Sequence, residues 1–187
     1  MRILIAMSED VLARNEDPVA ALAPIAAQHD LVLAHTSGRR AGQDLELALR
    51  NALPDRDVVS LPTQIVLADG QPQAIAEVRS LRALLDCGSL VICAGNDSLP
   101  VALDESGLMH PTEAPVDHDL SAALMARRVD ADLLLMLGEY YPPPPPQVSA
   151  ASRFAERTGR RAVLGALGDV AGMVRGEAGM EIVAAPA

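Results

Sequence analysis

Four short segments carry residue types that could bind a ligand or take part in catalysis. Three of them, Ser8-Glu9-Asp10, Gly38 and Gly95-Asn96-Asp97, each follow an apolar run, and the fourth, Asp117-His118-Asp119, precedes an Ala/Leu-rich segment. Carboxylates can hold Mg²⁺ or Ca²⁺, and glycine lets backbone N–H groups approach an anion. Histidine is mostly neutral at pH 7 unless its pKa is raised. The sequence therefore offers His118 and Asp119 as candidate catalytic residues and the other three segments as candidate ligand contacts.

Each of these residues also has a purely structural interpretation. Asp117 and Asp119 suit the N-cap and first turn of a helix, and His118 alone is compatible with a structural role. Glu9 and Asp10 would either begin a solvated loop or, together with Asp97 and Asp119, form a new metal site. The pattern leaves both interpretations open, and the identity of any metal stays undetermined.

The elements that must position these residues follow from the hydrophobic pattern. Short Val/Ile/Leu runs alternate with longer Ala/Leu/Arg segments, which is typical of strands connected through helices into a mainly parallel sheet. We predict strands at 2–7, 30–36, 90–94, 132–137, 161–164 and 180–183, and helices at 18–28, 42–52, 74–87, 117–128, 148–158 and 167–175. We further predict short extended pieces at 58–68, a turn at 69–72 and a hairpin at 99–113. The expected fold is α/β, with an open, mainly parallel sheet sandwiched between helices in a single domain over residues 1–187.

Five consecutive prolines, Pro142–Pro146, follow Tyr140-Tyr141. Because proline has no N–H to donate, we predict an extended polyproline connector there. A docking segment for a proline-recognition domain is the alternative.

Composition excludes several classes of partner. The 25 acidic residues outnumber the 15 basic ones, and the net charge of −10 disfavours binding to nucleic acid or to anionic membrane surfaces. All of the basic residues are arginine, so no lysine is present to serve as a phosphate-binding point charge. Cys87 and Cys93 do not form a CxxC motif, and Cys93 lies in an apolar run where it suits a small core position. No apolar segment is long enough to span a membrane, and we expect a cytoplasmic protein.

Three blocks of sequence together carry a family resemblance. The most specific block runs from Ser149 to Gly165 and continues through Gly176-Glu177-Ala178-Gly179. The second block comprises residues 84–95, 99–101 and 115–124. The third block is the amino-terminal strand, and a weaker similarity is present at residues 33–38. Together these blocks resemble carbamate kinase, a branch of the amino-acid kinase family. The resemblance implies an open, mostly parallel sheet, with carbamate and Mg-ATP meeting at the carboxyl ends of the strands.

The same resemblance implies that the phosphate-handling positions have changed. The family has Gly-Gly-Asn where this chain has Ser8-Glu9-Asp10, and Asp-Lys-Asp where it has Asp117-His118-Asp119. A further family lysine corresponds to Gln147, and the nucleotide loop before it is shortened to the proline run. Since phosphoryl transfer depends on neutralising developing charge, replacement of cations by acids should remove much of the catalysis.

These observations lead to three functional hypotheses. The first is a non-catalytic binding or structural subunit that self-associates as a dimer, with a carbamoyl-handling assembly as a candidate partner. The second is an active kinase of carbamate or another small acid that uses Mg-ATP, with arginines such as Arg39 or Arg153 supplying the missing cations. The third is a sensor that binds a ligand without turnover. His35 and Arg39-Arg40 could contact an anion in any of these, although a surface turn explains them equally well.

Overall fold

A computed structural model describes residues 1–13, 17–36, 38–94, 99–104, 106–138 and 142–184, with the backbone alone at Arg39, Ala94 and Leu99. Its strands are β1 (Arg2–Met7), β2 (Asp30–His35), β3 (Val58–Ser60), β4 (Gln64–Ala68), β5 (Gln71–Ile75), β6 (Leu90–Ala94), β7 (Leu99–Leu103), β8 (Met109–Pro111), β9 (Leu133–Leu137), β10 (Arg161–Gly165) and β11 (Met180–Ile182). Its α-helices are α1 (Glu9–Ala13), α2 (Pro18–Ala26), α3 (Arg39–Ala52), α4 (Val78–Asp86), α5 (His118–Arg128), α6 (Pro145–Thr158) and α7 (Val170–Arg175).

The larger sheet has seven strands in the order β11-β10-β9-β1-β2-β6-β3. All neighbours in it are parallel except the edge strand β11, which pairs antiparallel with β10. The chain places β2 on one side of β1 and β9 on the other, with Ile3 paired to both Leu31 and Leu133. The predicted mainly parallel sheet between helices is confirmed.

Both faces of this sheet are buried, which explains why its strands are almost uniformly apolar. Leu4, Val32 and Leu134 point into a core shared with α4, α5 and α6. Ile3, Leu31 and neighbouring residues point into a second core shared with α1, α2, α3 and α7. The alternation of side chains along each strand therefore divides the core into two layers.

A smaller sheet has the order β5-β4-β7-β8 and was not predicted as a separate unit. The predicted hairpin at 99–113 is confirmed as the antiparallel pair of β7 and β8. The turn predicted at 69–72 is shorter, because β5 begins at Gln71 and pairs antiparallel with β4. Ile75 pairs with Ile65 and is buried, so tertiary packing holds this segment as a strand, and α4 begins only at Val78.

The proline run is only partly an extended connector. Pro144 is the extended N-cap residue of α6, and Pro145 and Pro146 lie in the first turn of that helix. The prediction was wrong for these two residues because the first N–H groups of a helix have no intrahelical acceptor, so proline loses nothing there.

The predicted ends of the last two helices are confirmed. Gly159 and Gly176 follow α6 and α7 with φ of 68° and 79°, a left-handed conformation that glycine adopts without steric cost. Within the part of the chain that the structure describes, no helix is long and apolar enough to cross a membrane.

Candidate functional site

A cavity of about 220 Å³ lies at the carboxyl ends of the central parallel strands. Its lining includes Met7 and Ser8 at the end of β1, His35 and Thr36 at the end of β2, and residues from β6 and β9. In open α/β sheets ligands bind in such a crevice, where successive connections leave in opposite directions. Here β1 lies at that point, between β2 and β9. The fold thus places this cavity where a ligand site is expected.

The amino end of α5 forms another wall of the cavity. His118 and Asp119 are its first two residues, and both line the cavity. The predicted N-cap is confirmed, since the Asp117 carboxylate accepts a hydrogen bond from the Leu120 N–H at 2.9 Å. The Ser121 hydroxyl donates to the Asp117 carbonyl at 2.7 Å. Asp117 therefore fixes the start of the helix, and the next two side chains face the ligand space.

Asp119 is the acidic side chain of this lining, and its environment favours the neutral form. Partial burial raises the pKa of Asp119 to about 6, and the negative charge of Asp117 contributes further to the increase. The cavity also holds Cys93, whose pKa is raised to about 12 chiefly by burial, so its thiol stays protonated. Among the described side chains no arginine lines this cavity. The described lining therefore holds the Asp119 carboxyl group but no arginine or lysine to neutralise its negative charge.

Gln147 closes the cavity from the amino end of α6. Its side chain is only 8% exposed and packs over Gly138, the residue that follows β9. A Cβ atom at position 138 would lie 3.2 Å from Gln147 Nε2, so the glycine gives this side chain room. The position that the family resemblance assigns to a lysine is thus occupied by an amide that lines the cavity.

The structure brings together only some of the candidate residues. Ser8, His118 and Asp119 share the cavity. Glu9 and Asp10 are exposed in α1, and neither lines the cavity; Gly38 is the N-cap of α3 and also lies outside the lining. Three further candidates, Gly95, Asn96 and Asp97, lie outside the described residues.

This arrangement bears on the metal-site hypothesis. Of the proposed ligands, Asp119 lines the cavity, whereas Glu9 and Asp10 do not. In the described ranges no group of three or more His, Cys, Asp or Glu residues could hold a metal ion. The described carboxylates therefore do not form the cluster that the hypothesis required.

Two arginines were proposed as replacement cations. Arg153 lies in a different groove between α5 and α6, which rules out a direct contact with the cavity in this arrangement. The side chain of Arg39 is not among those that the structure describes, so its role stays a prediction.

Two cavity residues were missed or misjudged from the sequence. His35 is buried at 1% exposure rather than part of a surface turn. Thr63 also lines the cavity and is buried, because the smaller sheet folds over the strand ends at this point. No local signal marks Thr63, since its position depends on the pairing of β4 with β7, which is distant in sequence.

Comparisons with known proteins agree with this geometry. No protein-family model matches the chain. The carbamate kinase of Haemophilus influenzae is 34% identical over 140 aligned residues, which cover 59% of this chain and 45% of the relative. The carbamate kinase of Rhizobium meliloti is 35% identical over 145 residues, with 61% and 45% covered. The chain thus spans about half the length of these curated relatives.

Solved structures extend the likeness to the whole fold. The carbamate kinase from Giardia lamblia bound to AMP-PNP superposes with a TM-score of 0.84, with 98% of both chains covered and 16% identity. At that identity the superposition establishes the fold alone. In sequence the chain resembles carbamate kinases, and it has the carbamate kinase form of the amino-acid kinase fold.

Proposed function

We propose that this chain is a carbamate-kinase-like protein that no longer transfers phosphoryl groups and instead acts as a non-catalytic binding subunit. The observation that supports this proposal is the cavity lining. Asp119 contributes a partly buried carboxyl group to this lining. None of the described arginine side chains lines the cavity, and the chain contains no lysine.

The electrostatic consequence is unfavourable for phosphate. Two like unit charges about 4 Å apart repel by roughly 4 kcal/mol at an effective dielectric constant of 20. An ionised Asp119 would impose a penalty of this kind on each phosphate charge brought next to it. Phosphoryl transfer needs the opposite, a site already arranged to stabilise negative charge. His118 and Gln147, which replace family lysines, supply no permanent cation.

The lining suits a small ligand without negative charge. Ser8, Thr36, Ser121 and Gln147 offer hydroxyl and amide groups beside apolar walls. Asp119 can accept a hydrogen bond from an N–H group when ionised and donate one when protonated. A compact neutral molecule with N–H and C=O groups, such as a carbamoyl compound, satisfies these groups without bringing charge into the cavity.

The test is a direct assay of ADP formation from Mg-ATP and carbamate. The Haemophilus influenzae carbamate kinase serves as the positive control under identical conditions. We expect no turnover above background for this chain, and its melting temperature should not change with millimolar Mg-ATP. Robust ATP-dependent phosphorylation of carbamate by the pure protein would overturn the proposal.

A second candidate function is an active kinase of carbamate or another small acid, and the sequence similarity to carbamate kinases favours it. The described residues do not fit the Mg-ATP that this activity requires. Asp119 is the acidic residue that they place in the cavity, and they supply no cation for the phosphates. Turnover that disappears in Arg39→Ala would support this candidate and identify the missing cation.

We also propose that residues 1–187 form one domain, that the protein resides in the cytoplasm and that it self-associates as a dimer, with a carbamoyl-handling assembly as a candidate partner. The dimer is what the family resemblance implies. Light scattering of the purified chain tests it, and a monomeric mass at high concentration would contradict it.

A further inference from the structure

Most of the arginine side chains that the structure describes already have partners. Among the described residues, Arg2, Arg50, Arg56, Arg82, Arg128, Arg160, Arg161 and Arg175 donate hydrogen bonds to carbonyl oxygens or carboxylates. The described arginines without such a bond are Arg40, Arg79, Arg127, Arg153 and Arg157. Three of these last five line a single groove.

The groove has a volume of about 200 Å³ and lies between α5 and α6, next to β5. Arg127 reaches it from the last turn of α5, and Arg153 and Arg157 from α6. The two arginines of α6 are four residues apart, so they lie on the same face of the helix. Phe154, which is buried, and Leu124 contribute to the floor.

No carboxylate lines the groove among the described residues. Partial burial lowers the pKa of Arg127, and the positive charges of Arg128 and Arg157 lower it further. Like charges four residues apart on a helix also destabilise it slightly. A chain with a net charge of −10 thus concentrates uncompensated positive charge at one place, where an anion would relieve the repulsion.

We propose that this groove binds a small anion that carries two or more phosphate or carboxylate groups. Each guanidinium presents a planar set of N–H donors that matches the oxygens of either group. A ligand with several anionic groups can contact all three arginines at once, whereas a single chloride ion cannot.

The groove is separate from the cavity, although α5 contributes to both. Ser121, Ala122 and Met125 face the cavity, while Leu120, Ala123 and Arg127 face the groove. This inference therefore does not depend on the proposed function.

Isothermal titration of the purified chain with pyrophosphate and with citrate, at low salt, tests the proposal. We expect at least one of the two to bind, and the stronger one identifies the anionic group that is preferred. Arg153→Gln and Arg157→Gln should each weaken binding by about tenfold, because each removes a hydrogen bond to a charged group. Both side chains are exposed, so these variants should keep the wild-type melting temperature.

Arg79→Gln is the matched control, since Arg79 is also exposed and has no hydrogen-bond partner among the described residues, but lies outside the groove. Binding to this variant should stay within about twofold of the wild type, as for most substitutions of exposed residues. The proposal is wrong if neither anion binds at millimolar concentration, or if Arg79→Gln weakens binding as much as the groove variants do.

Discussion

Gly42 of α3 lies against the ring of His35, so that a Cβ atom at position 42 would be 2.7 Å from both Cε1 and Nε2 of the histidine. The ring is 1% exposed and forms part of the cavity wall. The missing side chain at position 42 is therefore what allows His35 to occupy this place.

Replacement of Gly42 by alanine should destabilise the protein. Overpacking of a buried contact costs about 1–3 kcal/mol, and the better helix propensity of alanine returns only about 1 kcal/mol. We expect a net loss of about 1 kcal/mol, or a melting temperature lower by about 2–4 °C. Thermal denaturation followed by circular dichroism measures this change.

Gly168→Ala is the control for this experiment, because a Cβ atom there would meet nothing within 4 Å. That variant should melt within a degree or so of the wild type, in line with the small effects of most surface substitutions. If Gly42→Ala melts at or above the wild-type temperature, the His35 ring moves aside without lowering the free energy of unfolding, which would contradict this prediction.

Asp119 should make the protein less stable as the pH rises from about 4 to 6. The pKa of Asp119 is about 6 in the folded chain and 3.8 is its ordinary value, so the folded state binds more protons in this interval. Stability then falls with increasing pH, and above pH 6 the whole cost is present. After allowance for solvent screening we expect the cost to be on the order of 1 kcal/mol.

The Asp119→Asn variant tests this dependence, since the amide has nearly the same shape and no charge. Urea denaturation at pH 4, 5, 6 and 7 should give a smaller decline in the free energy of unfolding than for the wild type. Asp44→Asn, at an exposed position on α3, should leave the decline unchanged. Identical pH profiles for Asp119→Asn and the wild type would mean that Asp119 titrates normally.

Gln147→Lys should restore some affinity for anionic nucleotides. The substitution puts a cation into the cavity lining at the position where the resemblance implies a lysine. If the variant binds Mg-ADP with a dissociation constant of about 0.1 mM, 1 mM ligand adds about 1.4 kcal/mol of stability. The melting temperature should then rise by about 3–6 °C.

Gln43→Lys is the matched control, because it makes the same exchange on the exposed surface of α3. We expect no ligand-dependent shift for this variant or for the wild type. A wild-type shift as large as that of Gln147→Lys would mean that a residue other than the described lining residues supplies a cation to the cavity. The new lysine should also lower the pKa of Asp119, which would flatten the dependence of stability on pH.

The sequence predicts the larger sheet well because its strands bury both faces. The strand Leu133–Leu137 is apolar throughout, and Arg2–Met7 is apolar after its first residue, so the local pattern was sufficient to place both. The start of α5 could also be predicted from the sequence, since Asp117 forms its hydrogen bonds with residues only three and four positions away. The resemblance further implied that these strands form an open, mostly parallel sheet, and the order of the strands comes from the structure alone.

The smaller sheet and the cavity wall depended on contacts that local sequence does not encode. The segment Gln71–Ile75 has weak strand character, and its pairing with β4 decides its conformation. The burial of His35 is decided by Gly42, seven residues later, and that of Thr63 by the sheet that packs over the strand ends. The residues predicted from the sequence thus include Ser8, His118 and Asp119, which share the cavity, and their roles stay predictions. The burial of His35 and Thr63 in the same lining was not predicted.

The prolines before α6 have a consequence for the unfolded chain. Each proline fixes φ near −65°, so the segment that leads to Gln147 samples few conformations even before folding. Ordering of this segment therefore costs less conformational entropy than ordering of a flexible loop of equal length. The stiff proline segment therefore helps to hold the first turn of α6 in place. Because Gln147 belongs to that turn, its amide is held at the cavity as well.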